Sequence, residues 1–220
     1  QIPKAHFKLF YESPFNQSEV YVLLDVLFEE NPYSRLDSTD IVCPFIDTIP
    51  PNVTVKVPSI ADILGDKLTA FAPNTTGILY DKEKEMEIIK QLFDIESLFD
   101  QLSTTNGVKD TFIRCAEQEL NYRQLTEMNY ENVLDDIFKT AIIIGGRGSF
   151  DKETFLKLED GIRRIKSHII NRNYIVEEAV VSASKAAYLS MLLKHQQEHI
   201  EKYHPKETLP ELEGVPLFKK

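Results

Sequence analysis

The sequence predicts an α+β fold, a strand-rich front followed by a helical half, and three observations carry that prediction. The apolar pattern changes period at Ser59, from two-sided runs rich in Val, Leu, Tyr and Phe to spacings of three and four. Turn signals, Pro14 with Asn16 and the pair Pro50-Pro51, punctuate the front. The 220 residues are 42% hydrophobic and 27% charged, ordinary values for a chain that buries a core. Strands gathered before helices give α+β rather than an alternating parallel architecture. The resulting division is a strand-rich part at 1–58, a helical part at 59–204 and an extended tail at 205–220.

In the front, residues 6–11 alternate loosely and make a first strand. Residues 20–29 (VYVLLDVLFE) are apolar on both faces, as a central strand buried on both sides is. Residues 41–46 and 53–57 are further short strands on either side of Pro50-Pro51.

Ser59 is placed as an N-cap with Asp62 three residues on, and Ile60, Ile63, Leu64, Leu68 and Phe71 follow at helical spacing. A loop at 72–80 (APNTTGILY) separates this helix from one at 83–102 striped by Ile88, Leu92, Ile95, Phe99 and Leu102. Helices follow at about 109–127, 131–144, 151–171 and 175–202. Phe155, Leu158, Ile162, Ile165 and Ile169 stripe the helix at 151–171, and Ala179, Ala183, Ala186 and Ala187 permit close helix contact in the last. Pro205, Pro210 and Pro216 make the tail extended. No internal repeat is present.

Composition excludes several classes. No run approaches the ~18 apolar residues of a membrane helix, and no basic-then-apolar leader opens the chain. Cys43 and Cys115 are too few and too far apart for a disulfide framework or a metal knuckle, which points to a reducing cytoplasm. A net charge of −10 argues against coating nucleic acid, so any such contact needs a local basic patch. The chain opens on Gln1 and enters strand-like sequence almost at once, so a preceding segment is expected.

Asp25 is the first candidate functional residue, because it interrupts an apolar strand. A buried, unpaired carboxylate costs several kcal/mol and so calls for a metal, a cation or a proton. A structural ion pair or a wet strand end competes with metal ligation there. Lys67, among apolar neighbours in SIADILGDKLTAF, is the second, against the plain alternative of a solvated helix lysine. Lys90 and Asp94, four apart, share one face of the next helix, where a surface pair is the commoner outcome.

Together these stretches resemble the AbiEii/AbiGii family of nucleotidyltransferase toxins. SIADILGDKLTAF supplies the family's Lys-Leu as Lys67-Leu68, and APNTTGILY follows. EMEIIKQLFDIESLFD supplies a basic residue ahead of Asp as Lys90-Gln91-Leu92-Phe93-Asp94, and LLDVLFEE matches the strand with a single core Asp at Asp25. The resemblance covers residues 6–102, and the later helices agree in kind.

It implies a nucleotidyltransferase-like partial sheet followed by a helical bundle, and polymerase-β-like transfer of NMP from an NTP to an RNA or protein acceptor. Mg²⁺ ions would be held by two carboxylates on one strand and a third nearby, with Asp25 as the third. Lys67 and Lys90 would bind nucleotide, Lys67 would neutralise phosphate charge, and Asp94 would hold Lys67 or shape the pocket. A cognate antitoxin is the implied protein partner. The family's Gly-Ser with its paired carboxylates is not found in residues 1–20, so it is expected upstream of Gln1, and the chain by itself is expected to be inactive. The rival from another class is a non-catalytic protein whose helical half docks a partner.

Three other patterns invite a function. AIIIGGRGSF (141–150) matches neither phosphate-loop spacing, and Gly145 is better placed as a helix C-cap with Ser149 or Asp151 capping the next helix. His195 and His199 stand one helical turn apart with His204 beyond, which a zinc hydrolase could use, but the general-base Glu of that motif is missing. Arg164, His168 and Arg172 step along one face and form the best candidate for a local nucleic-acid contact, against a polar flank balanced by Glu159 and Asp160.

Overall fold

The computed structural model describes residues 3–42, 47–80 and 83–203. The chain divides into two compact units, Gln1–Pro32 and Tyr33–Lys220.

The first unit is a β-hairpin. Strand β1 (Lys4–Glu12) pairs antiparallel with β2 (Glu19–Leu27), His6 facing Asp25 and Phe10 facing Tyr21. The turn is closed by Ser13 N–H donating to Ser18 O at 2.9 Å, with Gln17 at a φ of 53°. Because side chains alternate across a strand, this register sorts the residues into two unlike faces. Ala5, Phe7, Leu9 and Tyr11 share one face with Val20, Val22, Leu24 and Val26. The other face is mixed: Lys4, His6, Lys8, Phe10 and Glu12 share it with Glu19, Tyr21, Leu23, Asp25 and Leu27, and there Lys8 Nζ lies 4.3 Å from the Tyr21 ring centre. The expected buried central strand is instead half of a two-stranded ribbon among the described residues, and none of its residues is buried. An apolar run shows that a strand wants cover on both faces, but it does not set how many strands flank it.

In the second unit, β3 (Leu36–Asp40) pairs antiparallel with β4 (Thr54–Pro58), and six helices follow among the described residues. The strand expected at 41–46 falls earlier: residues 41–42 lie outside any strand and 43–46 outside the described residues. The polar run LDSTD carries no strand pattern of its own and is extended because β4 offers it a ladder.

Helix α1 (Ile60–Ala70) is capped by Ser59, whose Oγ accepts from Asp62 N–H at 3.2 Å. Then come α2 (Glu85–Phe99), α3 (Val108–Tyr122), α4 (Tyr130–Gly145), α5 (Lys152–Ile165) and α6 (Val176–Lys194). Their stripes converge on one core that includes Leu64, Leu68, Ile88, Leu92, Phe112, Ile137, Ile144, Ile162 and Leu189. Two glycines set the closest crossings. A Cβ on Gly65 would come within 2.5 Å of Val108 O on α3, and one on Gly161 within 2.6 Å of Glu85 O on α2. Buried Ala179, Ala183 and Ala186 line the inner face of α6, which packs on α4 and α2.

Three helices are shorter than their polar continuations suggested. α3 stops at Tyr122, ahead of Gln124 at a φ of 58°. α5 stops at Ile165 and passes into a single 3-10 turn, Lys166–His168. α6 stops at Lys194 because Gln196, at a φ of 56°, turns the chain back toward residues 103–105, where Thr105 N–H donates to Glu198 O at 2.8 Å. The tail expected at 205–220 lies outside the described residues.

Candidate functional site

The candidate site lies on the seam between α1 and α2. α1 is fixed by Asp62, a fully buried carboxylate. It accepts from Ser34 N–H at 2.8 Å, Ser34 Oγ at 2.7 Å, Arg35 N–H at 3.2 Å, Ser59 Oγ at 2.5 Å and Thr111 Oγ1. Burial by itself raises a carboxyl pKa, but the donors from Ser59, Thr111 and Ser34 outweigh it and pull Asp62 down to about 2. The segment before β3, the start of α1 and the first half of α3 are therefore pinned to a single anion.

One turn beyond, Lys67 reaches across to α2. Its Nζ lies 2.9 Å from Asp94 Oδ2 and 3.3 Å from Gln91 Oε1. Gln91 and Asp94 are three apart, so one helix face presents both to the ammonium. Both ends of the ion pair keep access to water, at 33% and 41% side-chain exposure. An ammonium held by one carboxylate and one amide has a donor left over, and here that donor is open to solvent. Lys90 sits on the same helix, exposed, with no hydrogen bond or ion pair among the described residues.

The order Lys-Leu, then basic-Gln-x-x-Asp, is thus realised as a Lys–Gln–Asp contact between two packed helices. The family model described as Nucleotidyl transferase AbiEii toxin, Type IV TA system, matches residues 2–195. The chain belongs to the AbiEii family. No curated protein and no solved structure matches it. By family it is a nucleotidyltransferase toxin of a toxin–antitoxin system, and a type IV system implies an antitoxin partner. None of the described helices is long and apolar enough to cross a membrane.

In this AbiEii chain Asp25 belongs to the hairpin. It is an exposed residue whose Oδ1 accepts from His6 Nδ1 at 2.5 Å, not the buried carboxylate its apolar neighbours suggested. Mg²⁺ takes near-octahedral oxygen ligation. No three His, Cys, Asp or Glu side chains converge as metal ligands among the described residues. One exposed carboxylate does not make such a site, so what this chain does toward phosphate is derived from Lys67 and its neighbours alone.

The remaining sequence candidates are spread apart. Arg164 is in the last turn of α5, 3.8 Å from Asp160, and His168 is in the following 3-10 turn beside Ser167. Arg172 lies beyond both and turns inward: its Nη2 donates to buried Glu96 at 2.5 Å while the guanidinium stacks 4.9 Å from the Phe93 ring centre. Lys185 and Ser182 complete the Glu96 set at 3.2 and 2.8 Å. Burial pushes the Glu96 carboxyl up, but Arg172, Ser182 and Lys185 hold it below its ordinary value. Arg172 thereby ties the end of the α5 segment to α2 and α6. His195 ends α6 while His199 bridges to Thr104, so the two do not share a helix, and His204 lies outside the described residues. In the glycine segment, α4 ends at Gly145, Gly148 takes a φ of 81°, and Asp151 caps α5 by accepting from Thr154 N–H at 3.0 Å.

Sequence reasoning missed the residues that shape the loop at 72–80. Asp136 of α4 accepts from Asn74 N–H at 2.8 Å and Thr75 Oγ1 at 2.9 Å. Arg123, just past α3, donates to the carbonyls of Thr75, Thr76 and Gly77 at 2.9, 2.5 and 2.7 Å. No local pattern marks these two, since their partners lie 46 to 62 residues away.

Proposed function

We propose that this chain handles the nucleotide in an NMP transferase, with an NTP as donor and an RNA or a protein as acceptor, held in check by a cognate antitoxin in the cytoplasm. The observation that carries the reading is the Lys67–Asp94 contact at 2.9 Å across the α1–α2 seam. As a structural device the pair offers little, since closing it to water would cost desolvation of both charges. This one is partly open, and exposed pairs of its kind contribute only about 0.2–1 kcal/mol to stability. Positioning explains it better.

Asp94 and Gln91 hold the flexible lysine stem in one orientation, leaving a donor for a triphosphate oxygen. A charge-assisted bond of that type is about twice as strong as a neutral one. Phosphoryl-group chemistry depends chiefly on positioning and on neutralising oxygen charge, and an oriented ammonium does both. Lys90, one turn before Asp94 and unengaged among the described residues, would take an outer phosphate.

The test is calorimetric titration of the chain with an NTP and with inorganic tripolyphosphate. Lys67→Ala is expected to weaken both by about tenfold or more, a loss of about 1.4 kcal/mol, and Asp94→Asn by less. Unchanged affinity in Lys67→Ala overturns the reading. Transfer of labelled NMP to RNA or protein by the chain alone is expected at background, because the paired carboxylates are absent from residues 1–20. Turnover there would refute that requirement.

A further inference from the structure

A cavity of about 850 Å³ opens at the end of α1, under the loop at 74–79, between the start of α2 and the end of α3. Its size is within the ~300–1,000 Å³ range of small-molecule sites. Lys67, Gln91 and Asp94 do not line it, but it neighbours their seam along both helices. Ala70 in its wall is three residues past Lys67 on α1, and Glu87 is four before Gln91 on α2, so both helices present adjoining turns to the two places.

The walls are of two kinds. Ala70, Ile78, Leu79 and Leu125 make an apolar part. Around it stand ionisable groups that are mostly spoken for. Arg123 spends its guanidinium on three loop carbonyls, and Glu119 lies 3.9 Å from it. Asp66 accepts from Tyr33 Oη at 3.0 Å. That leaves Lys84, exposed at the start of α2, and Glu87, half-buried one turn on, neither with a side-chain hydrogen bond or ion pair among the described residues. The loop over the cavity is pinned by Arg123 and by Asp136 of α4, so the space is preformed rather than made on binding.

A phosphate is a poor occupant, since Asp66, Glu87 and Glu119 outnumber Lys84 and Arg123, whose guanidinium the loop carbonyls already take. A flat, uncharged ring with N–H donors is the right one: its faces pack on the aliphatic wall and its amino group donates to the free carboxylate.

We propose that this cavity is the base subsite of the nucleotide, that Glu87 accepts from the exocyclic amine of an amino-bearing base (adenine, guanine or cytosine), and that the phosphates run back along the seam to Lys67. This rests on the Lys67 reading and adds to it the orientation of the nucleotide and the class of base. Carboxylates take amine donors from base edges in the same way when proteins read cytosine. Uracil, with a carbonyl where cytosine has its amine, would meet the carboxylate with like polarity.

The experiment compares ATP, GTP, CTP, UTP and inorganic tripolyphosphate by calorimetry on the parent chain and on Glu87→Gln, a near-isosteric change at a half-buried site that keeps the fold. In the parent, at least one amino-bearing NTP is expected to bind about tenfold tighter than UTP and than tripolyphosphate. In Glu87→Gln that preference over UTP should shrink to within about twofold, with tripolyphosphate affinity unchanged, because an amide both donates and accepts. Equal binding of all four NTPs and tripolyphosphate by the parent overturns the base subsite while leaving Lys67 intact. So does a base preference that survives Glu87→Gln. Failure of tripolyphosphate and every NTP to bind removes the Lys67 reading, and this one with it.

Discussion

Replacing Asp62 by Ala should be the most damaging single truncation in the helical unit. The carboxylate is fully buried and receives two backbone N–H groups, from Ser34 and Arg35, and three hydroxyls, from Ser34, Ser59 and Thr111. The hydroxyls can turn toward other acceptors, but the two amides cannot. Each orphaned donor costs about 1–3 kcal/mol, and the charge-assisted bonds themselves are worth about 1.5–3 kcal/mol apiece. With partial relaxation the loss is about 3–5 kcal/mol, which lowers Tm by roughly 10 °C for a unit of this size.

The pH dependence gives a second, independent signature. Asp62 is at about 2 in the folded chain against 3.8 as its ordinary value. A depressed carboxyl stabilises above the unfolded value and loses that contribution as pH falls through the folded one. The parent should therefore shed roughly 2 kcal/mol between about pH 4 and pH 2 that Asp62→Ala has already lost. Thermal and urea melts of both proteins, at neutral pH and stepped down to about pH 2, measure this. A variant that melts within a degree or two of the parent at pH 7 would refute the role assigned to the buried anion.

Two further outcomes follow from the core. Arg172→Ala strips the nearest cation from buried Glu96 while Lys185 stays at 3.2 Å, so the loss should be about 2 kcal/mol rather than the 3–5 of a fully orphaned buried charge, read as a lower urea midpoint. A midpoint equal to the parent's would make Arg172 a surface residue, free for another role. Burial pushes the Cys115 thiol up to about 12, with Asp66 adding to the shift, so it stays protonated at neutral pH. Peptide mapping after brief iodoacetamide treatment should find Cys115 unmodified in the folded protein and alkylated in urea, and native labelling would contradict its place in the α1–α3 packing.

Period alone reached the helical half. The α2 stripe of Ile88, Leu92, Ile95 and Phe99 is buried as its spacing required, and the α5 stripe of Phe155, Leu158, Ile162 and Ile165 likewise. These were legible because amphipathic spacing is a local property that survives whatever the partner is. Helix ends were less legible. Past Ile165 and Lys194 the residues remain helix-compatible, and only distant backbone, such as residues 103–105 for the segment after α6, decided that the chain should leave. The β2 segment shows the opposite error: its apolar faces announced a need for cover, yet its only ladder partner among the described residues is β1, and Asp25 is correspondingly wet.

The site divides along the same line. Sequence by itself determined which residue types stand in which order: Lys67 on one helix, Gln91 and Asp94 on the next, with apolar stripes that oblige those helices to pack. It also determined the family, whose model matches residues 2–195. Only the tertiary structure decided that the Lys67 ammonium meets the Asp94 carboxylate at 2.9 Å, that Arg172 faces a buried glutamate, and that Arg123 and Asp136 clamp the loop above the cavity. The reason is physical. Helical periodicity says which side of a helix is buried, whereas the meeting of two polar groups depends on crossing angle and axial offset. Those are set here by close approaches such as Gly65 on α3 and Gly161 on α2, summed over the whole core.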